Sequence, residues 1–295
     1  MPKLPFVKMH GCGNDYIYVV ANRLRPANPA VLAQRVSDRR FGIGGDGLIM
    51  LCPSLVADVR MEMYNSDGSR AEMCGNGVRC LALLYHESWS DPQNPVRVET
   101  DCGIKTITLA LDGPSISATV DMGEPVLEGR EIPVAYDGPV IDYPLEVDGR
   151  VERITAVSMG NPHCVVFVAE ERVFHLDDAE FARLGRRFET HPFFPRRVNT
   201  EFILPLARDR LRMRVWERGS GETLACGTGA CAALVAAVLT DRSARSATLE
   251  LPGGDLEIEW REQGPAADHV FMTGNAVEVF RGELELGDGE LVTVA

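Results

Sequence analysis

Residues Val59 to Asn65 alternate apolar and polar side chains, and Leu211 to Glu217 repeat that alternation. A period of two is the pattern of a half-buried strand. Each segment runs into a Gly/Ser turn, Ser66-Asp-Gly-Ser69 and Arg218-Gly-Ser-Gly221. Each turn leads to a cysteine followed by glycines, Cys74-Gly-Asn-Gly77 and Cys226-Gly-Thr-Gly229. Apolar runs follow, Val78 to Tyr85 and Ala230 to Leu239. The second, the longest in the chain, falls short of the ~20 residues a membrane-spanning helix needs and predicts a buried helix. A helix that is apolar on every side has to be wrapped by protein. Strands curled around it would do this.

Other pieces recur in the same order. Gly13-Asn14 before Tyr16 to Val20 matches Gly160-Asn161 before His163 to Phe167. Asn28-Pro29 opens a helix to Arg39, with Asn as cap and Pro at the first helical position. Asp177 to Phe188 is its counterpart. Gly44 to Ile49 matches Val198 to Ile203, and Ser115 to Val126 matches His269 to Val277. Val96 to Leu109 reads as two strands about Asp101-Cys-Gly103, and Thr248 to Trp260 as two strands about Pro252-Gly-Gly254. Six segments matched in one order argue against chance. The 295 residues therefore read as two copies of one unit. The join is expected near Met122 to Arg130, which is rich in Gly, Pro and Glu.

Thirty basic against 43 acidic residues give a net charge of −13. A chain that lives on phosphate contacts needs a basic face, so nucleic acid is not an expected partner, and neither is an anionic membrane. The N-terminus lacks the apolar run of a signal peptide, which predicts a cytoplasmic protein whose eight cysteines stay as thiols. No C-x-x-C pair occurs, so no metal site is expected from spacing. The only lysines are Lys3, Lys8 and Lys105, none within the repeated motifs. A pyridoxal phosphate enzyme requires a Schiff-base lysine, so the chain is expected to work without a cofactor.

A cysteine at a helix start sits among outward-pointing N–H groups and the positive end of the dipole, which favour the thiolate. The glycines after it let a ligand approach the backbone, and the unspent N–H groups bind carboxylate. Each half thus supplies a reactive thiol beside an anion pocket. If the halves face each other, two thiols flank one substrate atom. One base can then remove a proton from a carbon while a conjugate acid returns one to the other face, with thiols tuned toward neutrality. Cys12, Cys52, Cys80, Cys102, Cys164 and Cys231 read as small buried hydrophobes. Cys74 and Cys226 stand apart through their repeated context.

Asn14, Asn65, Asn161 and Asn199 lie at strand–turn junctions, where Asn is a common turn residue. Their matched places in the two halves favour a shared polar pocket. Glu217-Arg218 could hold an amino group and a carboxylate, or form a surface salt bridge. His163 could tune a thiol, although a lone His is more often structural. Phe41-Gly-Ile-Gly-Gly-Asp-Gly47 lacks the spacing and setting of a dinucleotide loop.

These residues resemble the diaminopimelate epimerase family of cofactor-independent amino-acid epimerases. The matching segments are Met9 to Asp15, Phe41 to Asp46, Tyr64 to Ser69, Met73 to Gly77, Ser158 to Cys164, Arg197 to Asn199, Glu217 to Thr223, Ala225 to Cys231 and Leu251 to Gly254. The resemblance implies that Cys74 and Cys226 transfer the protons. It also implies substrate contacts from Asn14, Asn65, Asn161, Asn199, Glu217 and Arg218, with the backbone of Gly75-Asn76 and Gly227-Thr228 on the reacting carboxylate. His163 and Glu217 would tune the thiols. Some members carry Gln where this chain has Gly47, so that contact would be lost or taken by backbone. Phe271 falls where some members place a Tyr at a dimer contact, which implies a homodimer.

The implied fold is α/β (α+β), with two pseudo-symmetric repeat domains, each a strongly curved, mostly antiparallel sheet around a central helix. The site would lie in the cleft between them. The implied division is 1–122 plus 274–295 for the domain of Cys74, and 123–273 for that of Cys226. The implied reaction interconverts LL- and meso-2,6-diaminopimelate by a two-cysteine mechanism, in lysine and peptidoglycan-precursor biosynthesis. Two readings compete. One is a proline racemase or hydroxyproline epimerase, whose substrate has one amino-acid centre, whereas Asn65, Asn199 and Arg218 suggest a pocket for a second. The other is a binding protein with inert thiols.

Overall fold

The computed structural model describes residues 3–112, 116–169 and 171–294. Ser115, which opens one repeat match, lies outside the described residues. The chain divides into two compact units, Met1–Val120 with Gly274–Ala295, and Asp121–Thr273.

In the first unit, Lys3–Gly11 lies antiparallel between Asn14–Val20 and Val277–Glu285. Asn14–Val20 runs parallel to Gly47–Cys52, which is antiparallel to Val59–Asn65. Val59–Asn65 is parallel to Val96–Thr100, which turns back antiparallel into Gly103–Ala110. Parallel neighbours need a crossover, and the two crossovers carry helices α1 (Pro29–Ser37) and α2 (Gly75–Ser88). Every residue from Gly75 to Tyr85 is buried, because α2 touches each strand from Lys3–Gly11 to Gly103–Ala110 in the ladder just described.

The second unit repeats the order. Arg150–Ser158 is antiparallel to Tyr143–Val147 and to Pro162–Phe167. Pro162–Phe167 is parallel to Asn199–Ala207, which is antiparallel to Arg210–Glu217. Arg210–Glu217 is parallel to Ser246–Leu251, which is antiparallel to Gly254–Trp260. The crossovers carry α3 (Asp178–Glu189) and α4 (Gly227–Leu239). Helix α4 is buried from Gly229 to Ala237 and is wrapped as its sequence requires.

Local chemistry sets the helix ends. The Asn28 side chain accepts the Val31 N–H at 3.2 Å and Pro29 takes the first position of α1. That helix stops at Ser37, two residues before the expected Arg39. Asp38 Oδ1 accepts the amides of Arg40 and Phe41 at 2.7 and 2.8 Å and turns the chain there. Asp177 caps α3 by accepting the Glu180 N–H at 2.8 Å. Helix α3 buries Phe181, Gly185 and Phe188. Gly185 is glycine because a Cβ there would lie 2.3 Å from the Trp216 indole. Among the described residues no helix is long and apolar enough to cross a membrane.

Candidate active site

Cys74 is the N-cap of α2, and Cys226 is the N-cap of α4. Both cysteines therefore end a strand–turn segment and open the buried helix of their unit. The first amides of each helix have no partner within the helix, and they belong to Gly75-Asn76 and Gly227-Thr228.

Around Cys74, the sulfur accepts the Gly77 N–H at 3.4 Å and its thiol donates to Asn14 Oδ1 at 3.1 Å. Asn14 Nδ2 donates to Asp46 Oδ2 at 2.7 Å. An ionised carboxylate only accepts, so Asp46 fixes the Asn14 amide with its carbonyl toward the thiol. Asp46 also accepts the Asp15 N–H at 3.1 Å and an Arg39 contact at 3.0 Å. Lys8 is buried and pairs with Asp15 Oδ2 at 2.6 Å, so it is spent on holding this strand pair. Burial, then the Arg39 and Lys8 hydrogen bonds acting against it, set Asp15, and the net result is a carboxyl below its ordinary value. Asn65 ends its strand and donates from Nδ2 to Ser69 Oγ at 2.9 Å. Asn76 is buried, and its Oδ1 has no partner among the described residues.

Cys226 sits in a more anionic place. Its Sγ is 3.6 Å from Thr228 Oγ1. Burial, followed by the carboxylates of Glu217 and Glu201, pushes the thiol well above its ordinary value, against the lowering effect of Thr228 and the Gly229 amide. The helix start was expected to lower it, but desolvation disfavours the charged form more than a dipole end favours it. Burial also raises the Glu217 carboxyl, against the Thr223 hydroxyl that donates to it. His163 and Glu201 are fully buried and meet at 2.7 Å between Nδ1 and Oε1. His163 Nε2 lies 2.9 Å from Asn161 Oδ1. Asn199 is opposite His163 in the parallel ladder, and its Oδ1 accepts the Arg218 N–H at 2.7 Å. Arg218 Nη1 donates to the Arg196 carbonyl at 3.2 Å.

The second unit thus gathers Asn161, His163, Asn199, Glu217, Arg218, Gly227 and Thr228 on the elements that hold Cys226. The first gathers Asn14, Gly75 and Asn76 at Cys74, with Asn65 on the strand that leads into the turn before Cys74. Phe271 belongs to neither group. It is half-buried on Val270–Asn275, with the Arg261 guanidinium 3.5 Å above its ring.

Ladder register keeps the sequence match of Tyr16 with His163 and shifts the next strand, so that Gly47 rather than Gly45 matches Asn199. Tyr16 faces Gly47 as His163 faces Asn199. Tyr16 is thus the first unit's counterpart of His163, and burial, with the nearby Cys74, raises its phenol well above the ordinary value. Gly47 cannot carry a side chain, since a Cβ would lie 2.1 Å from the Tyr64 carbonyl oxygen. The last glycines of the Cys-Gly-x-Gly turns also differ from expectation. A Cβ at Gly77 would meet Ile49 Cδ1 at 2.7 Å, and one at Gly229 would meet Glu201 Oε1 at 2.6 Å. These glycines make room for protein, not for a ligand.

Sequence reasoning missed Asp46, Tyr16, Glu201 and Glu189. Glu189 accepts the Gly219 N–H at 3.0 Å and the Trp216 Nε1–H at 2.8 Å, which ties α3 to the Glu217-Arg218 turn. Each acts across strands or from a helix far along the chain, so no local spacing marks it. His163, Glu201 and Cys226 also bring one potential metal donor each within 4.8 Å of one another.

The fold is that of a class of racemases, epimerases and isomerases built from two repeated halves. A PhzF-family phenazine biosynthesis protein from Bacillus anthracis matches with a TM-score of 0.71 at 15% identity, over 97% of this chain and 100% of that one. A hydroxyproline epimerase from Agrobacterium vitis matches with a TM-score of 0.63 at 15% identity, over 96% and 91%. A family profile described as diaminopimelate epimerase matches residues 6–128 and 155–279. Diaminopimelate epimerase from Acetivibrio thermocellus is 50% identical over 285 residues, covering 96% of this chain and 99% of that protein. The Moorella thermoacetica enzyme of the same name is 52% identical over 284 residues, covering 95% and 99%. The chain belongs to the diaminopimelate epimerase family.

Proposed function

We propose that this chain is an isomerase that interconverts LL- and meso-2,6-diaminopimelate by proton transfer at Cys74 and Cys226, without a cofactor. The observation that carries the mechanism is the duplicated placement of a thiol at the N-cap of a buried helix, once in each unit. One thiolate takes the α-hydrogen as a proton, and the other thiol returns a proton to the opposite face. The α-hydrogen is a poor acid, so the carbanion-like transition state needs preorganised donors and excluded water. The amides of Gly75-Asn76 and Gly227-Thr228 supply donors for the reacting carboxylate. Asn14, Asn65, Asn161, Asn199, Glu217 and Arg218 bind the rest of the substrate, and His163 and Glu217 tune the thiols. The raised Cys226 thiol suits the acid that delivers a proton.

The same reading puts the protein in a reducing cytoplasm, where both thiols persist, as a homodimer through the face of Phe271. Light scattering on wild type and Phe271→Asp tests the dimer. Deuterium exchange tests the function. In D2O the protein should load deuterium at the α-carbon of LL-diaminopimelate and leave proline untouched. Exchange into proline alone would assign the site to a proline racemase, and no exchange into either would reduce the chain to a binding protein.

A further inference from the structure

Glu201 is given no substrate contact in the mechanism proposed above, yet among the described residues it is the most deeply buried acid of the second unit. It lies on Asn199–Ala207, two residues beyond the Asn199 that faces His163, so Glu201 and Asn199 share one face of the sheet. Its side chain is fully buried, and one oxygen meets His163 Nδ1 at 2.7 Å. The other, Oε2, has no hydrogen-bond partner among the described residues. A buried carboxylate oxygen left unpaired is costly, and glycine at 229 leaves room for the other oxygen, Oε1, which a Cβ there would meet at 2.6 Å. Cys226 Sγ, a ring nitrogen of His163 and a carboxylate oxygen of Glu201 lie within 4.8 Å of one another. Glu217 adds a second carboxylate beside the thiol.

We infer that His163, Glu201 and Cys226 form a reversible binding site for a zinc-class cation, and that its occupation silences the Cys226 thiol. The donor set is one thiolate, one imidazole and one carboxylate, which is the three-ligand pattern of zinc sites that keep an open fourth position. The sulfur selects such a metal over magnesium or calcium, which prefer oxygen alone. Zinc–ligand bonds of about 2.0–2.3 Å require the three donors to close by a modest side-chain adjustment from their present spacing. His163 is already oriented for the task. Nε2–H donates to Asn161 Oδ1, the outer hydrogen bond that metal-binding histidines use, and loss of the proton shared between Nδ1 and Glu201 Oε1 frees the Nδ1 lone pair for the cation. The cation takes the place of the thiol proton and of any proton held between His163 and Glu201. These leave to solvent, and nothing is oxidised or reduced. The site stands whether or not the chain epimerises diaminopimelate.

Cobalt(II) titrated into the reduced, metal-free protein without substrate provides the test. A thiolate-to-cobalt charge-transfer band should appear at one equivalent and vanish on adding zinc. The band should be absent in Cys226→Ala and retained in Cys74→Ala. Glu201→Gln should weaken cobalt by about tenfold or more, since even outer partners of a metal ligand change affinity by about 10–100-fold. Zinc should abolish deuterium exchange in parallel with its occupancy, and a chelator should restore it. No band in wild type overturns the site, even if no variant folds. So does a band that follows Cys74 rather than Cys226, or one of unchanged affinity in Glu201→Gln.

Discussion

Cys74 and Cys226 are the same residue type at the same helical position, but their surroundings differ. Cys74 donates to an uncharged amide that Asp46 holds in place, while Cys226 faces two carboxylates. Both should be indispensable if each serves one face. Cys74→Ala and Cys226→Ala should each lower kcat/KM by at least the ~10²–10⁴-fold that a positioned proton-transfer group contributes. Steady-state kinetics on LL-diaminopimelate decides this, and near-wild-type turnover by either variant would sink the two-base mechanism. Arg218 carries the second residue-scale prediction. Its planar guanidinium can grip a carboxylate bidentately, which lysine cannot reproduce. Losing one hydrogen bond to a charged group costs about 1.5–3 kcal/mol, so Arg218→Lys should lose roughly ten- to a hundredfold in kcat/KM. A loss within about twofold, well under that contact energy, would place the distal pocket elsewhere.

At the scale of elements, the starts of α2 and α4 are set by what packs against them. Alanine normally stabilises a helix over glycine by up to ~1 kcal/mol. At Gly229 the added Cβ would press on Glu201 Oε1 at 2.6 Å, and that oxygen is held by His163. At Gly77 it would press on Ile49 Cδ1 at 2.7 Å, the end of a side chain that can turn. Overpacking of this kind costs about 1–3 kcal/mol. Gly229→Ala should therefore destabilise, and by more than Gly77→Ala. Urea midpoints of the two variants check the order, and a Gly229→Ala protein as stable as wild type would refute the packing argument.

The whole molecule carries several buried thiols, and these link its stability to pH. Burial, with a smaller contribution from Glu62, raises Cys52 from 9.0 to about 12. Burial raises Cys80 from 9.0 to about 11. A folded-state value above the unfolded one means that the native state holds its proton longer. That stability is fully present below the ordinary thiol value and is lost as pH rises through the folded values. Unfolding free energy should accordingly fall as pH climbs above about 9, the ordinary thiol value. Cys80→Ala should show a shallower alkaline fall than wild type. Equal slopes for the two proteins would show that the decline comes from elsewhere, such as the net charge of −13.

The amino-acid sequence by itself determined the elements and their duplication. The alternation in Val59–Asn65 and Arg210–Glu217, the Asn28 and Asp177 caps, and the all-apolar run of α4 each act within a few residues. Their physics is local, so a linear reading recovers them, and the Cys-Gly-x-Gly turns come with them. The tertiary structure alone decided what packs around those turns. Parallel pairing brings His163 and Glu201 to 2.7 Å across 38 positions of chain and sets both beside Cys226. It makes Gly47 the counterpart of Asn199 and fills the space at Gly47, Gly77 and Gly229. It also buries Arg79, the one charge inside the apolar run Val78 to Tyr85, against the carbonyls of Gly75 and Asn275. Burial and unlike-residue contact are properties of packing. For that reason the Cys226 thiol is raised where its helix position alone argued for lowering.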